Sequence, residues 1–121
     1  MGVSKVLKKN FKNISIVAVE PKNSPILSKN ISGAHQIQGI GAGFIPSIVD
    51  KNIFDEIITV SDEEAFDSQR ELAKKYGILS GISSGASFFA TKIYAKKLGK
   101  GKKILFIAPD DGQRYLSTKA F

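Results

Sequence analysis

The chain has 121 residues, 42% hydrophobic and 24% charged, with a formal net charge of +7, which fits one globular domain rather than two domains or a disordered polymer. It has no cysteine and one histidine, His35, so disulfides, thiolate zinc sites, cysteine nucleophiles and histidine-rich metal sites are excluded. No apolar run approaches a membrane span and the basic start lacks the apolar stretch of a signal peptide, so a cytoplasmic protein with no membrane partner is expected.

Val3 to Lys12 places Val3, Val6, Leu7 and Phe11 at helical spacing with lysines between them. Ile14 to Val19 (ISIVAV) is a nearly continuous β-branched run of the kind buried on both faces of a parallel sheet. Residues 22–52 are rich in glycine, serine and proline, and an irregular segment of that length in a small domain is usually functional or disordered. Ile57 to Val60 predicts a second strand. Ser61 and Glu64 form a capping box that opens a helix running to about Tyr76, with Gly77 as its left-handed stop and Ala65, Phe66, Leu72, Ala73 and Tyr76 on its apolar face. After the short apolar piece Ile78 to Ile82, Ser83-Ser84-Gly85-Ala86 opens another helix that ends near Leu98. Lys103 to Ala108 (KILFIA) predicts a third buried strand, closed by the turn Pro109-Asp110-Asp111-Gly112. Strands alternating with helices predict an α/β fold, a mostly parallel sheet flanked by helices. Ligands of such sheets sit beyond the carboxyl ends of the strands.

Each motif has a chemical and a plain reading. Gly39-Ile40-Gly41-Ala42-Gly43 is a binding loop or a turn; it lacks the strand-to-helix placement of a dinucleotide fingerprint. Ser83-Ser84-Gly85-Ala86 offers an anion site at a helix start or simple capping. Asp110 and Asp111 are a carboxylate pair for acid/base work, a metal or a cationic ring nitrogen, or they are turn formers. His35 reads as a local hydrogen-bonding residue. Ser117 and Thr118 have no base near them in sequence, so a hydrolase triad has no support. No acid lies between Leu72 and Pro109, while the acids gather in Asp62, Glu63, Glu64, Asp67 and Glu71. This asymmetry reads as solvated helix faces and not as a nucleic-acid surface, because no aromatics or base-reading arginines are interleaved with the lysines.

Six motifs taken in order carry a resemblance. They are Val17-Ala18-Val19-Glu20-Pro21, Ser24-Pro25, Ile37 to Pro46 (IQGIGAGFIP), Val60 to Ala65 (VSDEEA), Gly81 to Ala86 (GISSGA) and Gly112 to Thr118 (GQRYLST). In type, order and spacing they resemble cysteine synthase, or O-acetylserine sulfhydrylase, a branch of the fold-type II enzymes that use pyridoxal phosphate (PLP). The resemblance implies that residues 1–121 are an incomplete, C-terminal fragment of a tryptophan synthase β-like PLP-dependent domain, with 22–52 as the irregular active-site rim. In the family the Schiff-base lysine lies upstream, in a Ser-Val-Lys-Asp-Arg-like motif that does not occur among these residues. The phosphate cradle also lies upstream, with Gly2 matching its last glycine. The resemblance therefore implies no catalytic residue in this chain, cofactor not retained by it alone, and exposed apolar surface where absent segments would pack.

The parent reaction it implies is PLP-dependent β-replacement, turning O-acetyl-L-serine and sulfide into L-cysteine and acetate in a homodimer. Gln38, Gly39, Ile40, Gly41 and Phe44 match the rim that meets substrate and receives the C-terminal tail of serine acetyltransferase. Asp110 and Asp111 fall in the loop that presents a group, usually a serine hydroxyl, to the ring nitrogen. A carboxylate there favours a protonated ring and a stronger electron sink, a departure from the milder sink of the family. A non-catalytic module that docks the acetyltransferase tail or a partner chain is the alternative.

Overall fold

A computed structural model describes residues 1–120. In chain order the elements are α1 (Gly2–Asn10), β1 (Val17–Pro21), α2 (Ile26–Lys29), β2 (Glu56–Val60), α3 (Asp62–Tyr76) and α4 (Ile82–Leu98), with short 3-10 turns at Lys51–Ile53 and Gly112–Tyr115. β1 and β2 pair in parallel, with Val17 opposite Glu56 and Pro21 opposite Val60. The α/β class and the parallel pairing agree with the sequence reading. Among the described residues no helix is long and apolar enough to cross a membrane.

The local signals act as their chemistry requires. The Ser61 hydroxyl accepts from the Glu64 amide while the Glu64 carboxylate accepts from the Ser61 amide, and Gly77 ends α3 with φ of 68°. These contacts satisfy donors that the first turn leaves free. The core lies where α3 and α4 pack over the sheet, around Ile58, Val60, Ala65, Ile82, Ala86 and Ala90, joined by Ile37 and Tyr115. Gly85 sets how closely the two helices approach. A Cβ there would lie within contact distance of the Ala65 carbonyl oxygen, 2.8 Å from the Gln69 amide nitrogen and 2.9 Å from the Gln69 Cβ.

Four expectations are corrected. Residues 103–108 form no strand; among the described residues their backbone makes no hydrogen bond, because no second strand lies beside them. They keep the alternation of one: Ile104 and Phe106 are half-buried while Leu105 is 83% and Ile107 64% exposed, and the Phe106 ring lies 5.7 Å from that of Phe88 on α4. The first strand starts at Val17 rather than Ile14, and Val17, Ala18 and Val19 are half-buried rather than fully covered. Tyr76 is 50% exposed; Ser68 and Gln69 occupy the buried face of α3 beside Ala65 and Leu72. The serines of Ser83-Ser84 do not cap α4. Its N-cap is Gly81 with no side-chain cap, and the Ser84 hydroxyl is buried without a partner.

α1 has no buried residue and is tied to the sheet through Asp55. The Lys8 ammonium reaches both Asp55 carboxylate oxygens at 2.7 Å, and the Ile16 amide donates to the same carboxylate at 2.7 Å. The Ile16 amide first, and then Lys8, hold the Asp55 carboxyl below its ordinary value. A carboxylate lowered in the folded state contributes stability that is complete above its unfolded pKa and is lost as pH falls through the folded one. Amide protection in α1 is therefore expected to hold at neutral pH and to fall below about pH 4, more steeply than in α3. Because the pair is partly exposed, added salt should weaken the effect. Hydrogen exchange across pH 2 to 6, roughly the carboxylate range, checks this.

Candidate functional site

The ends of the elements build two clefts and one loop. The first rim glycine, Gly39, has φ of 92°, and Gly41 has φ of 65°, a region that costs side-chain-bearing residues strain. Gly41 also has no room, since a Cβ would lie 2.6 Å from both His35 Nε2 and Pro21 Cγ. The segment is fixed from both ends: Ile37 is fully buried, and His35 Nε2 bonds the Gly41 carbonyl oxygen at 2.9 Å. His35 is thus the local hydrogen-bonding residue its sequence context suggested.

The five predicted rim residues divide between the clefts. Gly39, Ile40, Gly41 and Phe44 line an apolar cleft of about 480 Å³ with Leu27 and Glu20. Gln38 lines a smaller cleft of about 260 Å³ with His35, Phe66, Ile82 and Thr118. Phe44 is 62% exposed. Glu20 went unnoticed in the sequence as a site residue. It is 2% exposed, and its carboxylate accepts from the Leu27 amide at 2.7 Å, the Ser28 amide at 3.2 Å and the Ser28 hydroxyl. It ties the end of β1 to α2 and so shapes one wall of the larger cleft. The only sequence signal was an acid at the end of a strand, which reads as a stop.

The structure separates the two aspartates. Asp110 is half-buried; its Oδ2 accepts from the Tyr115 hydroxyl at 2.6 Å, and its Oδ1 is buried with no partner. Asp111 is exposed; its backbone forms an antiparallel bridge with Ser80, and its Oδ1 accepts from the Gln113 amide at 2.8 Å. The bond to Asp110 first, and burial second, push the Tyr115 phenol above its ordinary value, so Tyr115 keeps its proton and serves as donor. Sequence reasoning missed Tyr115, which stands five residues on and in no repeating pattern.

A profile described as pyridoxal-phosphate dependent enzyme matches residues 1–110. The chain belongs to this family. It is 51% identical over 120 residues to the cysteine synthase of Staphylococcus aureus, and 52% identical to cysteine synthase B of Campylobacter jejuni. The aligned part is 99% of this chain and 39% of the S. aureus protein; the chain spans about two-fifths of the relatives it matches. Among solved structures it superposes on cysteine synthase from Entamoeba histolytica with a TM-score of 0.93 at 43% identity, covering 99% of this chain and 36% of that one. O-ureido-L-serine synthase gives a TM-score of 0.96 at 36% identity, covering 100% of this chain and 38% of that one. The similarity to cysteine synthases and the fold-type II α/β architecture agree with the resemblance seen in the sequence.

Among the described residues the 109–112 loop carries two carboxylates, Asp111 exposed and Asp110 with one buried oxygen that makes no hydrogen bond.

Proposed function

We propose that this chain is the C-terminal part of a cysteine synthase that acts in the cytoplasm, converting O-acetyl-L-serine and sulfide to L-cysteine and acetate as a homodimer when complete. The identity of about half its residues to named cysteine synthases, over nearly its whole length, supports this reading most. Pyridoxal phosphate supplies the electron sink of β-replacement when bound. In this reading a carboxylate of the Asp110–Asp111 pair accepts the hydrogen bond of the ring nitrogen. Gln38, Gly39, Ile40, Gly41 and Phe44 form the mouth, and their positive-φ glycines bring backbone close to substrate without side chains in the way. The fully buried Ile37 holds that mouth in register with the sheet.

The 121 residues alone do not catalyse this reaction. The lysine that bonds the cofactor in the family belongs to a motif that these residues do not contain. Mixed with pyridoxal phosphate, the chain is expected to show only the weak absorption of surface-lysine adducts, removed by dialysis and unchanged by O-acetylserine. A visible band that survives dialysis and shifts on adding O-acetylserine would overturn the prediction.

A second reading is a docking module for the C-terminal tail of serine acetyltransferase. The exposed Phe44 beside an apolar cleft favours it. Calorimetric titration with a peptide ending in isoleucine tests it, and the absence of heat at millimolar peptide would count against it.

A further inference from the structure

Residues 103–111 form an open edge. Among the described residues the backbone from Lys103 to Pro109 makes no hydrogen bond. The segment still has two distinct faces. Ile104 and Phe106 are half-buried, with the Phe106 ring 5.7 Å from that of Phe88, while Lys103, Leu105, Ile107, Pro109 and Asp111 are exposed. The direction of the backbone groups is fixed at the Asp111 end. The Gly81 amide donates to the Asp110 carbonyl at 3.1 Å and the Gly112 amide donates to the Leu79 carbonyl at 3.2 Å, on either side of the bridge between Ser80 and Asp111. The amide and carbonyl of Asp111 itself therefore point away from Ser80. By alternation along an extended chain, those of Ile107 and Leu105 point to the same open edge. Unpaired N–H and C=O groups beside exposed apolar side chains are a template for a further strand.

We propose that this edge is an interaction surface for a second copy of the chain, paired antiparallel about a two-fold axis through Ile107. Charge at the two ends of the segment selects that partner. Among the described residues Lys103 pairs with no acid, and Asp111 is exposed with Oδ1 accepting from the Gln113 amide. The two-fold arrangement sets Lys103 of each copy opposite Asp111 of the other, Leu105 opposite Pro109 and Ile107 opposite Ile107. All the exposed residues then meet on one face, and a slip of one residue would set them against the half-buried face instead. A parallel copy in register would oppose lysine to lysine and aspartate to aspartate. Pro109 has no amide to donate, so the Leu105–Pro109 pair carries one bond where the Ile107 pair carries two. A single strand pair buries less than the roughly 1,200 Å² of stable interfaces, so the association depends on concentration. The proposal is independent of the cofactor reading.

Sedimentation equilibrium of the 121-residue chain, from micromolar to millimolar concentration, tests this. The average mass is expected to rise from one chain toward two, and exchange of the Ile107 amide to slow as it does. Ile107→Pro removes the two bonds on the axis and costs the single chain none, since Ile107 is 64% exposed and its backbone is unpaired; it should abolish the dimer. Lys103→Glu and Asp111→Lys each set like charges opposite one another, and each alone should weaken association by about tenfold or more. Mixed in equal amounts, these two variants carry opposite charges at both ends of the joined strands and should associate as the parent chain does. Circular dichroism checks that each variant folds; should Asp111→Lys fail to fold, Ile107→Pro and Lys103→Glu carry the comparison. A chain that stays monomeric at every concentration would overturn the proposal. So would association that Ile107→Pro and Lys103→Glu leave unchanged, since another face then carries it. Protection of the Ile107 amide only when the chain is joined to the upstream part of a relative would assign the edge to an upstream strand, and would also overturn it.

Discussion

Gly85→Ala is expected to destabilise the chain by about 2 kcal/mol, roughly 10 °C in Tm for a domain of this size. The direction opposes intrinsic propensity, because alanine in a helix interior is favoured over glycine by about 1 kcal/mol. Packing decides. The new Cβ would press on the Ala65 carbonyl and on the Gln69 amide nitrogen and Cβ. The carbonyl and the amide nitrogen are backbone held by the α3 ladder and have no rotamer to escape into. Parting the helices by even a few tenths of an ångström loosens the contacts of Ala65, Ala86 and Ala90 in the core. Thermal unfolding followed by circular dichroism checks this. A Tm equal to or above that of the parent chain would show that propensity, and not the close crossing, governs the site.

On the proposed reading of the 109–112 loop, Asp111→Ser should change the protonation of the cofactor in a complete enzyme. That context is a chimera in which the upstream part of the S. aureus relative precedes this chain. A carboxylate beside a basic nitrogen raises its proton affinity, and removing the charge lowers the nitrogen's pKa by about 1 to 3 pH units. Nitrogen-15 resonance of labelled pyridoxal phosphate in the chimera should report a protonated ring with Asp111 and an unprotonated one with Ser, at the same pH. Identical ring signals with Asp111 and with Ser would remove Asp111 from the cofactor.

α3 was legible because its signals are local. Ser61 and Glu64 cap one another within a single turn, and Gly77 stops α3 by its own backbone freedom. The strands were legible in part. ISIVAV and IITV carry the β-branched pattern, yet a strand exists only beside another, and among the described residues 103–108 has no neighbour to bond. The polar face of α3 was hidden because Ser68 and Gln69 look solvent-facing in sequence, whereas both are buried and Gly85 of α4 packs against Gln69. The positive-φ turn at Gly39–Gly43 was legible through its alternating glycines. The contrast between Asp110 and Asp111 was not, since it depends on Gly81 and Tyr115, which only the folded chain brings to the loop. The lysine excess reads as solvated helix faces, since no base-reading arginines are interleaved with it. Four of those lysines already pair with acids: Lys8 with Asp55, Lys75 and Lys92 with Glu71, and Lys97 with Glu56.

The most direct test is the unmutated chimera, assayed for L-cysteine from O-acetyl-L-serine and sulfide beside the 121-residue chain alone. The chimera is expected to form cysteine in a way that depends on added pyridoxal phosphate, and the chain alone to form none above the uncatalysed rate. A folded chimera that binds the cofactor but makes no cysteine, or a chain that turns over by itself, would contradict it.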